Sequence, residues 1–195
     1  MALVPLPDAP TGLLNRYAAR FSRKQMGGVV ADPMKAASHH PGVLLALGAE
    51  ETVVGMKWKR LDHGLQWLAQ MRVSQLIGCS WCVDFGFYEG VTKGLDAEKI
   101  RAVPKWRNSE VFDDTERLVL EFAEAATQTP ACIDDMLAER LQRRFAPDEL
   151  VELAGFIALE NQRSRFNAAL GLKSQGFSDR CELPTATGSG AAARV

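Results

Sequence analysis

The chain has 195 residues, of which 47% are apolar, and a formal net charge of −1. This length allows one domain whose buried core does not depend on disulfide bonds. The balanced charge, with no basic block or stripe, argues against nucleic acid as a partner. No apolar run approaches the length of a membrane-spanning helix, and the first residues lack a signal-peptide pattern. We therefore expect a cytoplasmic protein with no membrane partner.

The first third of the chain is predicted to be helical. Apolar residues recur at helical spacing from Leu13, so residues 1–29 are predicted to form a Pro-rich arm and a first helix. Asp32 is predicted to cap a short second helix. Pro41 is typical of a helix start and predicts a third helix, which Gly55 is expected to end.

Two longer helices are predicted next, separated by a glycine. Asp62 is predicted to cap a fourth helix that is apolar on most sides and ends at Gly78. A fifth helix is predicted from about Ser80 to Lys93, with Gly94 as its C-terminal stop.

The second half continues the helical pattern. Asp96 predicts the cap of a short helix, and residues 105–112 are predicted to form a loop. Asp113 predicts the cap of the next helix, and two further helices are predicted over residues 134–145 and 147–170.

Few segments alternate apolar and polar residues, so no strands are predicted and the fold class is all-α, as a helical bundle. Several helices are apolar on more than one face, which favours a homo-oligomer. Residues 181–195 are small, polar and rich in Gly and Ala, and we expect a mobile tail.

Cys79 and Cys82 lie three apart at the start of the predicted fifth helix. Backbone N–H groups and the helix dipole stabilise a thiolate at such a position. In a reducing compartment this spacing favours a redox dithiol, although two small buried residues or a metal site would give the same pattern. A structural zinc site needs four ligands, and no metal is predicted because the other candidates show no ligand spacing: Cys132, Cys181, His39 and His40.

The residues around this pair resemble a known family. The string Met-Arg-Val-Ser-Gln-Leu-Ile-Gly-Cys over residues 71–79, followed by Cys82, is similar to the carboxymuconolactone decarboxylase family and its AhpD-like alkylhydroperoxidases. Residues 157–161 and 165–171 resemble the closing helix of the same domain. The resemblance covers about residues 30–180.

The resemblance implies an all-helical AhpD-like domain that assembles into trimers or hexamers. It implies that Cys82 is the peroxidatic thiol and Cys79 the resolving thiol. It further implies a small hydroperoxide or disulfide as substrate, an external dithiol as reductant, and no cofactor.

Two positions depart from the family pattern. AhpD-like enzymes carry a glutamate where this chain has Trp67, and a histidine where it has Gly86. Both members of the family's proton relay are therefore missing. Gly86 shares a helix face with Cys82, and we expect either a cavity there or a neighbouring aromatic ring. Trp67 is interpreted as a core residue or as one wall of a substrate pocket.

The predicted last helix carries a polar set on an otherwise apolar sequence: Glu160, Asn161, Arg165 and Asn167. One interpretation is a buried structural network or a subunit contact. The other is that Glu160 or Arg165 supplies the missing proton relay or a positive field. Asp84 is expected to face away from Cys82 as a solvated or ion-paired carboxylate.

The leading functional prediction is a thiol-dependent peroxidase for alkyl hydroperoxides, or a disulfide oxidoreductase. One alternative is a redox-responsive binding or oligomeric protein with weak or no peroxidase turnover. Another is a small-molecule decarboxylase of the same family, although decarboxylases of the family do not need the cysteine pair.

Overall fold

The computed structural model describes residues 1–8 and 11–180 of the chain. Every regular element in these ranges is a helix, and they contain no strand, which confirms the predicted all-α class. The predicted tail, including Cys181, lies outside the described residues.

The described residues form nine α-helices, whose bounds are as follows: α1 Leu13–Gln25, α2 Asp32–Ala37, α3 Pro41–Lys57, α4 His63–Ile77, α5 Ser80–Thr92, α6 Ala97–Ala102, α7 Asp114–Thr127, α8 Asp135–Arg144 and α9 Pro147–Ala169. Two short 3₁₀ segments accompany them, at Val103–Asn108 and Ser178–Arg180.

The capping residues set most of the helix ends where the sequence predicted them. The Asp62 side chain accepts hydrogen bonds from the backbone N–H groups of Gly64 and Leu65 at the start of α4. Asp113 forms a capping box with Glu116 at the start of α7. Gly78 ends α4 with a φ of 76°, a conformation that favours glycine because it has no Cβ.

Three local predictions were wrong. The segment predicted as a loop begins with a 3₁₀ turn, because Trp106 is buried and its indole donates to Glu124. Gly55 lies inside α3, which continues to Lys57, since one interior glycine costs a helix only about 1 kcal/mol. Asp32 is the first residue of α2 rather than its cap.

The core is built around α4, which packs against α5, α7 and α9. Apolar residues of these helices are fully buried, among them Val73, Leu120, Leu153 and Phe156. This central position explains why α4 is apolar on most sides.

The first three helices lie beside this core, where α1 and α3 each pack on α2, and α3 contributes its buried Val54 to the core. The exposed arm also returns to the main body, because Leu3 N–H donates to the carbonyl of Leu170 at 2.9 Å. Within the described ranges, no helix has both the length and the apolar character needed to cross a bilayer.

Candidate active site

The two cysteines lie where α4 ends and α5 begins. Cys79 is the N-cap of α5, and its sulfur accepts the backbone N–H of Cys82 at 3.2 Å. The two sulfurs are joined in a disulfide, with the Cα atoms 5.3 Å apart. Cys79 is 1% exposed and Cys82 is 8% exposed. A thiolate released here by reduction lies at the positive end of a helix, and Cys82 is the more accessible of the two.

A side chain from α9 meets the sulfur of Cys82. The amide nitrogen Nδ2 of Asn167 lies 3.2 Å from Cys82 Sγ, and Asn167 is buried. An amide N–H stabilises a thiolate by donating to it but does not take its proton. The sequence analysis identified Asn167 only as a member of the polar set on the last helix. Its contact with Cys82 was not predicted, because nothing in the local sequence indicates it.

The two positions that depart from the AhpD-like pattern contact each other. The indole N–H of Trp67 donates to the carbonyl oxygen of Gly86 at 2.8 Å, and Trp67 is buried in the core. A Cβ at Gly86 would lie 3.2 Å from the sulfur of Met71. The predicted cavity beside Gly86 is therefore wrong, because Met71 fills that space, whereas the predicted aromatic neighbour is present as Trp67.

Glu160 is a buried carboxyl between α4 and α9. Its Oε1 accepts from the hydroxyls of Ser74 and Ser164, both at 2.7 Å. Arg163 reaches its other oxygen only at 3.5 Å, because Glu51 binds that guanidinium through Nε at 2.7 Å. Burial raises the pKa of Glu160 and outweighs the opposing effects of Arg163 and the two serines. The folded protein thus holds the proton of this carboxyl more tightly than the unfolded chain does.

Glu160 does not contact either sulfur, but it binds residues in the segments that position them. The carbonyl of Ser74 accepts the N–H of Cys79 at 3.0 Å. Ser164 lies one helical turn before Asn167 on α9. Glu160 therefore ties together the two segments that present Cys79 and Asn167.

Arg165 lies elsewhere. Its guanidinium is exposed, and its contact within the described residues is a long 3.5 Å bond to the carbonyl of Thr127. It makes no described contact with either sulfur. Of the two polar candidates predicted for the relay, the structure brings Glu160 toward the cysteines and not Arg165.

An aromatic cluster packs over the disulfide. The fully buried Phe177 contacts the rings of Trp81, Phe85 and Tyr88, with centroid separations of 5.4–5.8 Å. Both cysteines belong to the same buried cluster. We call residues 175–178, which carry Phe177, the strap.

Asp84 on α5 holds the strap. Its carboxylate accepts the backbone N–H groups of Gln175, Phe177 and Ser178 at 2.8–3.0 Å, and the hydroxyl of Ser178 at 2.6 Å. Burial alone would raise the pKa of Asp84, but these bonds outweigh it and lower the pKa to about 2. The expectation of a solvated or ion-paired Asp84 was wrong, because its partners are three backbone N–H groups and one hydroxyl far along the chain.

Gln175 links the strap to two other segments. Its side-chain oxygen accepts from the indole N–H of Trp81 and from the backbone N–H of Asp32, both at 2.7 Å. The amide nitrogen donates to the carbonyl of Val30 at 3.3 Å. The strap thus closes the space over the disulfide from the side of α2.

The remaining candidates stay apart from the pair. Cys132 is exposed between α7 and α8 and forms no disulfide. In the part of the chain that the structure describes, no three His, Cys, Asp or Glu side chains group closely enough to hold a metal ion.

Comparison with known proteins gives one set of relatives by sequence and another by structure. The uncharacterized protein YnjA of Escherichia coli K12 is 34% identical over 184 residues, which span 94% of this chain and 98% of YnjA. The structure of ATU0492 from Agrobacterium tumefaciens, a protein of unknown function proposed to be the antioxidant defence protein AhpD, is 28% identical with a TM-score of 0.65. It covers 71% of this chain and 94% of its own.

A more distant match is the debrominase Bmp8, in a cysteine-to-alanine variant bound to 2,3,4-tribromopyrrole. It is 20% identical with a TM-score of 0.77, over 92% of this chain and 96% of its own, and so shows the fold alone. The family model of carboxymuconolactone decarboxylase matches residues 50–125, which include α4, the cysteine pair and most of α7. With a relative matched along nearly its whole length, an AhpD-like fold and the close pair of Cys79 and Cys82, this chain belongs to the carboxymuconolactone decarboxylase family.

Proposed function

We propose that the protein is a thiol-dependent oxidoreductase that reduces organic hydroperoxides with Cys82 and Cys79. The observation that supports this most directly is the arrangement of the pair: two bonded sulfurs at the N-terminus of α5, with the amide of Asn167 donating to one of them. Such a pair passes between dithiol and disulfide without moving the backbone far.

In the proposed reaction the Cys82 thiolate attacks the terminal oxygen of a hydroperoxide. A sulfur–oxygen bond forms, the oxygen–oxygen bond breaks, and the departing alkoxide takes a proton to become an alcohol. Cys82 is thereby oxidised to a sulfenic acid. The sulfur of Cys79 then attacks Cys82, its proton leaves with the hydroxide as water, and the disulfide forms.

An external dithiol completes the cycle. It reduces the Cys79–Cys82 disulfide by two successive exchanges and is itself oxidised to a disulfide. Each cycle consumes one hydroperoxide and one dithiol, and releases one alcohol and one water.

The thiolate is stabilised here by donors rather than by a relay. Trp67 and Gly86 carry no group that accepts a proton at neutral pH, so the N–H groups of α5 and the Asn167 amide stabilise the Cys82 anion. Glu160 is a positioning residue that fixes the segments bearing Cys79 and Asn167. We therefore expect slower peroxide reduction than in AhpD-like enzymes that have the complete relay.

The surroundings of the sulfurs favour an apolar hydroperoxide. Trp81, Phe85, Tyr88 and Phe177 surround the pair with aromatic surface. A substrate with a hydrocarbon or aromatic group gains free energy by contacting Phe85 and Tyr88, the half-buried members of this set, whereas hydrogen peroxide gains none.

A single-turnover experiment tests the proposal. The reduced protein is mixed with one equivalent of cumene hydroperoxide, and formation of the Cys79–Cys82 disulfide is followed by mass spectrometry after thiol trapping. We expect cumyl alcohol and disulfide in equal amounts, Cys82→Ser to abolish both, and Cys132→Ser to change neither. Peroxide consumption at the wild-type rate by Cys82→Ser would exclude this function.

A second candidate is a redox-responsive binding protein. The packing of Phe177 in one cluster with both cysteines favours it, because breaking the disulfide changes the surface on which the strap rests. Limited proteolysis distinguishes the two, since a switch requires the strap of the reduced protein to be cleaved faster than that of the oxidised protein. Equal cleavage of the strap in the reduced and oxidised proteins, together with peroxide turnover, would exclude the switch and support the enzyme.

A further inference from the structure

A cavity of about 540 Å³ lies away from the strap, between the end of α4, α7 and α9. Arg72, Arg107 and Arg165 line it together with Glu124, and Leu76 and Ile77 add apolar surface. This volume falls within the usual range of small-molecule sites. The thiol chemistry described above uses none of these residues.

The cavity has an excess of positive charge. The Glu124 carboxylate forms ion pairs with the guanidinium groups of Arg72 at 2.6 Å and Arg107 at 2.5 Å. It also accepts a hydrogen bond from the indole N–H of Trp106 at 2.9 Å. Burial would raise the pKa of Glu124, but the bonds from Trp106 and the two arginines outweigh it, so the pKa is lowered. One ionised carboxylate thus faces three guanidinium groups, and two positive charges remain uncompensated.

Arg165 carries one of these two uncompensated charges. Among the described residues it has no carboxylate partner, and its single hydrogen bond is the 3.5 Å contact with the carbonyl of Thr127. Arg107 is held in place by stacking on the ring of Trp106, with its guanidinium carbon 4.3 Å from the ring centroid. One ordered and one available guanidinium therefore line the same cavity.

We infer that this cavity binds an organic anion, a carboxylate attached to an apolar group. Guanidinium groups bind carboxylates with paired, charge-assisted hydrogen bonds, which Arg107 and Arg165 offer. The apolar group of the ligand contacts Leu76 and Ile77, of which Leu76 is 43% exposed without a ligand. The apolar wall favours a carboxylic acid with a hydrocarbon chain over inorganic phosphate.

Calorimetric titration tests this with three probes: hexanoate, the neutral isostere hexanamide, and inorganic phosphate. We expect saturable binding of hexanoate, and binding of hexanamide and of phosphate that is at least tenfold weaker. Hexanoate binding is also expected in the Cys79→Ser/Cys82→Ser protein, because the cavity does not depend on the thiols. Equal affinity for hexanoate and either other probe, or no hexanoate binding, would overturn the inference.

Arginine variants locate the site. Arg165→Gln removes one charge-assisted bond without disturbing Glu124, so hexanoate binding should weaken roughly tenfold. Arg107→Gln provides a second variant, because Arg72 still neutralises Glu124. Arg140→Gln is the matched control, since that exposed arginine pairs with Glu121 outside the cavity. Unchanged affinity in both Arg165→Gln and Arg107→Gln would place the ligand elsewhere.

Discussion

At the scale of single residues, Asn167 distinguishes Cys82 from Cys79, because its amide donates to the Cys82 sulfur. In Asn167→Ala the reduced Cys82 loses one charge-assisted hydrogen bond, which is worth about 1.5–3 kcal/mol. We expect alkylation of Cys82 by iodoacetamide at neutral pH, and peroxide-driven disulfide formation, to slow about tenfold or more. Asn167→Asp should slow both further, since a carboxylate disfavours a neighbouring thiolate.

Asn161→Ala is the matched control for these variants. Asn161 lies on the same helix but donates to Thr127 and to the carbonyl of Ile157. Its loss should leave alkylation of Cys82 unchanged. Identical alkylation rates in Asn167→Ala and the wild type would show that the amide does not stabilise the thiolate.

Glu160 makes stability depend on pH. Because burial raises its pKa in the folded state, the folded protein holds the proton more tightly than the unfolded chain. Its contribution to stability is complete below the ordinary value of 4.5 and decreases as the pH rises toward the folded-state pKa. Glu160→Gln keeps a neutral acceptor for Ser74 and Ser164, so the free energy of unfolding should fall less with rising pH.

Urea unfolding at a series of pH values from about 4 to 8 measures this difference. Glu139→Gln is the control, because Glu139 is exposed and its ion pair among the described residues is with Arg143. Parallel pH profiles for the wild type and Glu160→Gln would mean that the buried carboxyl does not titrate differently in the folded state.

At the scale of structural elements, one carboxylate of α5, that of Asp84, accepts four hydrogen bonds from the strap. Asp84→Asn replaces a charged acceptor of four hydrogen bonds with a neutral amide. We expect a loss of stability on the order of 2 kcal/mol, and several-fold faster reduction of the disulfide by dithiothreitol because the strap opens more often. Asp96→Asn, at the cap of α6, should leave the reduction rate unchanged.

The same carboxylate predicts an acid effect of opposite sign to that of Glu160. The pKa of Asp84 is about 2, below its ordinary value of 3.8, so its contribution is complete above pH 3.8 and is lost as the pH falls toward 2. Disulfide reduction by a phosphine, which stays active in acid, should accelerate over that range in the wild type. A rate independent of pH there, with Asp84→Asn also unchanged, would remove Asp84 as the group that holds the strap.

The helix ends could be predicted from the sequence, whereas the contacts between distant segments could not. Helix starts and ends are local, so Asp62, Gly78 and Asp113 were sufficient to place them. The contacts that complete the site are not local: Asn167 meets Cys82 across 85 residues, and Asp84 meets Gln175 across 91. No periodicity or spacing encodes such pairs, although the spacing of Cys79 and Cys82 and the family resemblance identified the cysteines themselves.

The contact between Trp67 and Gly86 shows the same limit. The resemblance identified both as departures from the family pattern, and the expected cavity followed from the missing side chain at Gly86 alone. Three-dimensional packing was needed to show that Met71 fills the space and that the Trp67 indole bonds to the glycine carbonyl. Space left by a glycine on one helix is filled by a side chain of another helix, which the sequence around the glycine does not reveal.

At the scale of the whole molecule, two outer helices present apolar residues to solvent. On α3, Leu45, Val53 and Met56 are 50–61% exposed and fall within about 80° of one another around the helix. Val43, in the first turn of α3, is 36% exposed as well. On α1 a second exposed stripe is formed by Leu13, Tyr17 and Phe21. A monomer rarely leaves two such stripes uncovered.

We therefore expect a second copy of the chain to cover the stripe on α3, within the trimer or hexamer that the family resemblance implies. Light scattering at micromolar concentration should give a multiple of the single-chain mass. Leu45→Glu/Met56→Glu places two desolvated charges in that contact, a cost of several kcal/mol, and should give the single-chain mass with unchanged helical content. Gln142→Glu adds a charge to the exposed face of α8 and should not alter the mass. A wild-type protein of single-chain mass would mean that the stripe on α3 is solvent-exposed in the native protein, and the cysteine pair, the strap and the basic cavity would then have to function within one chain.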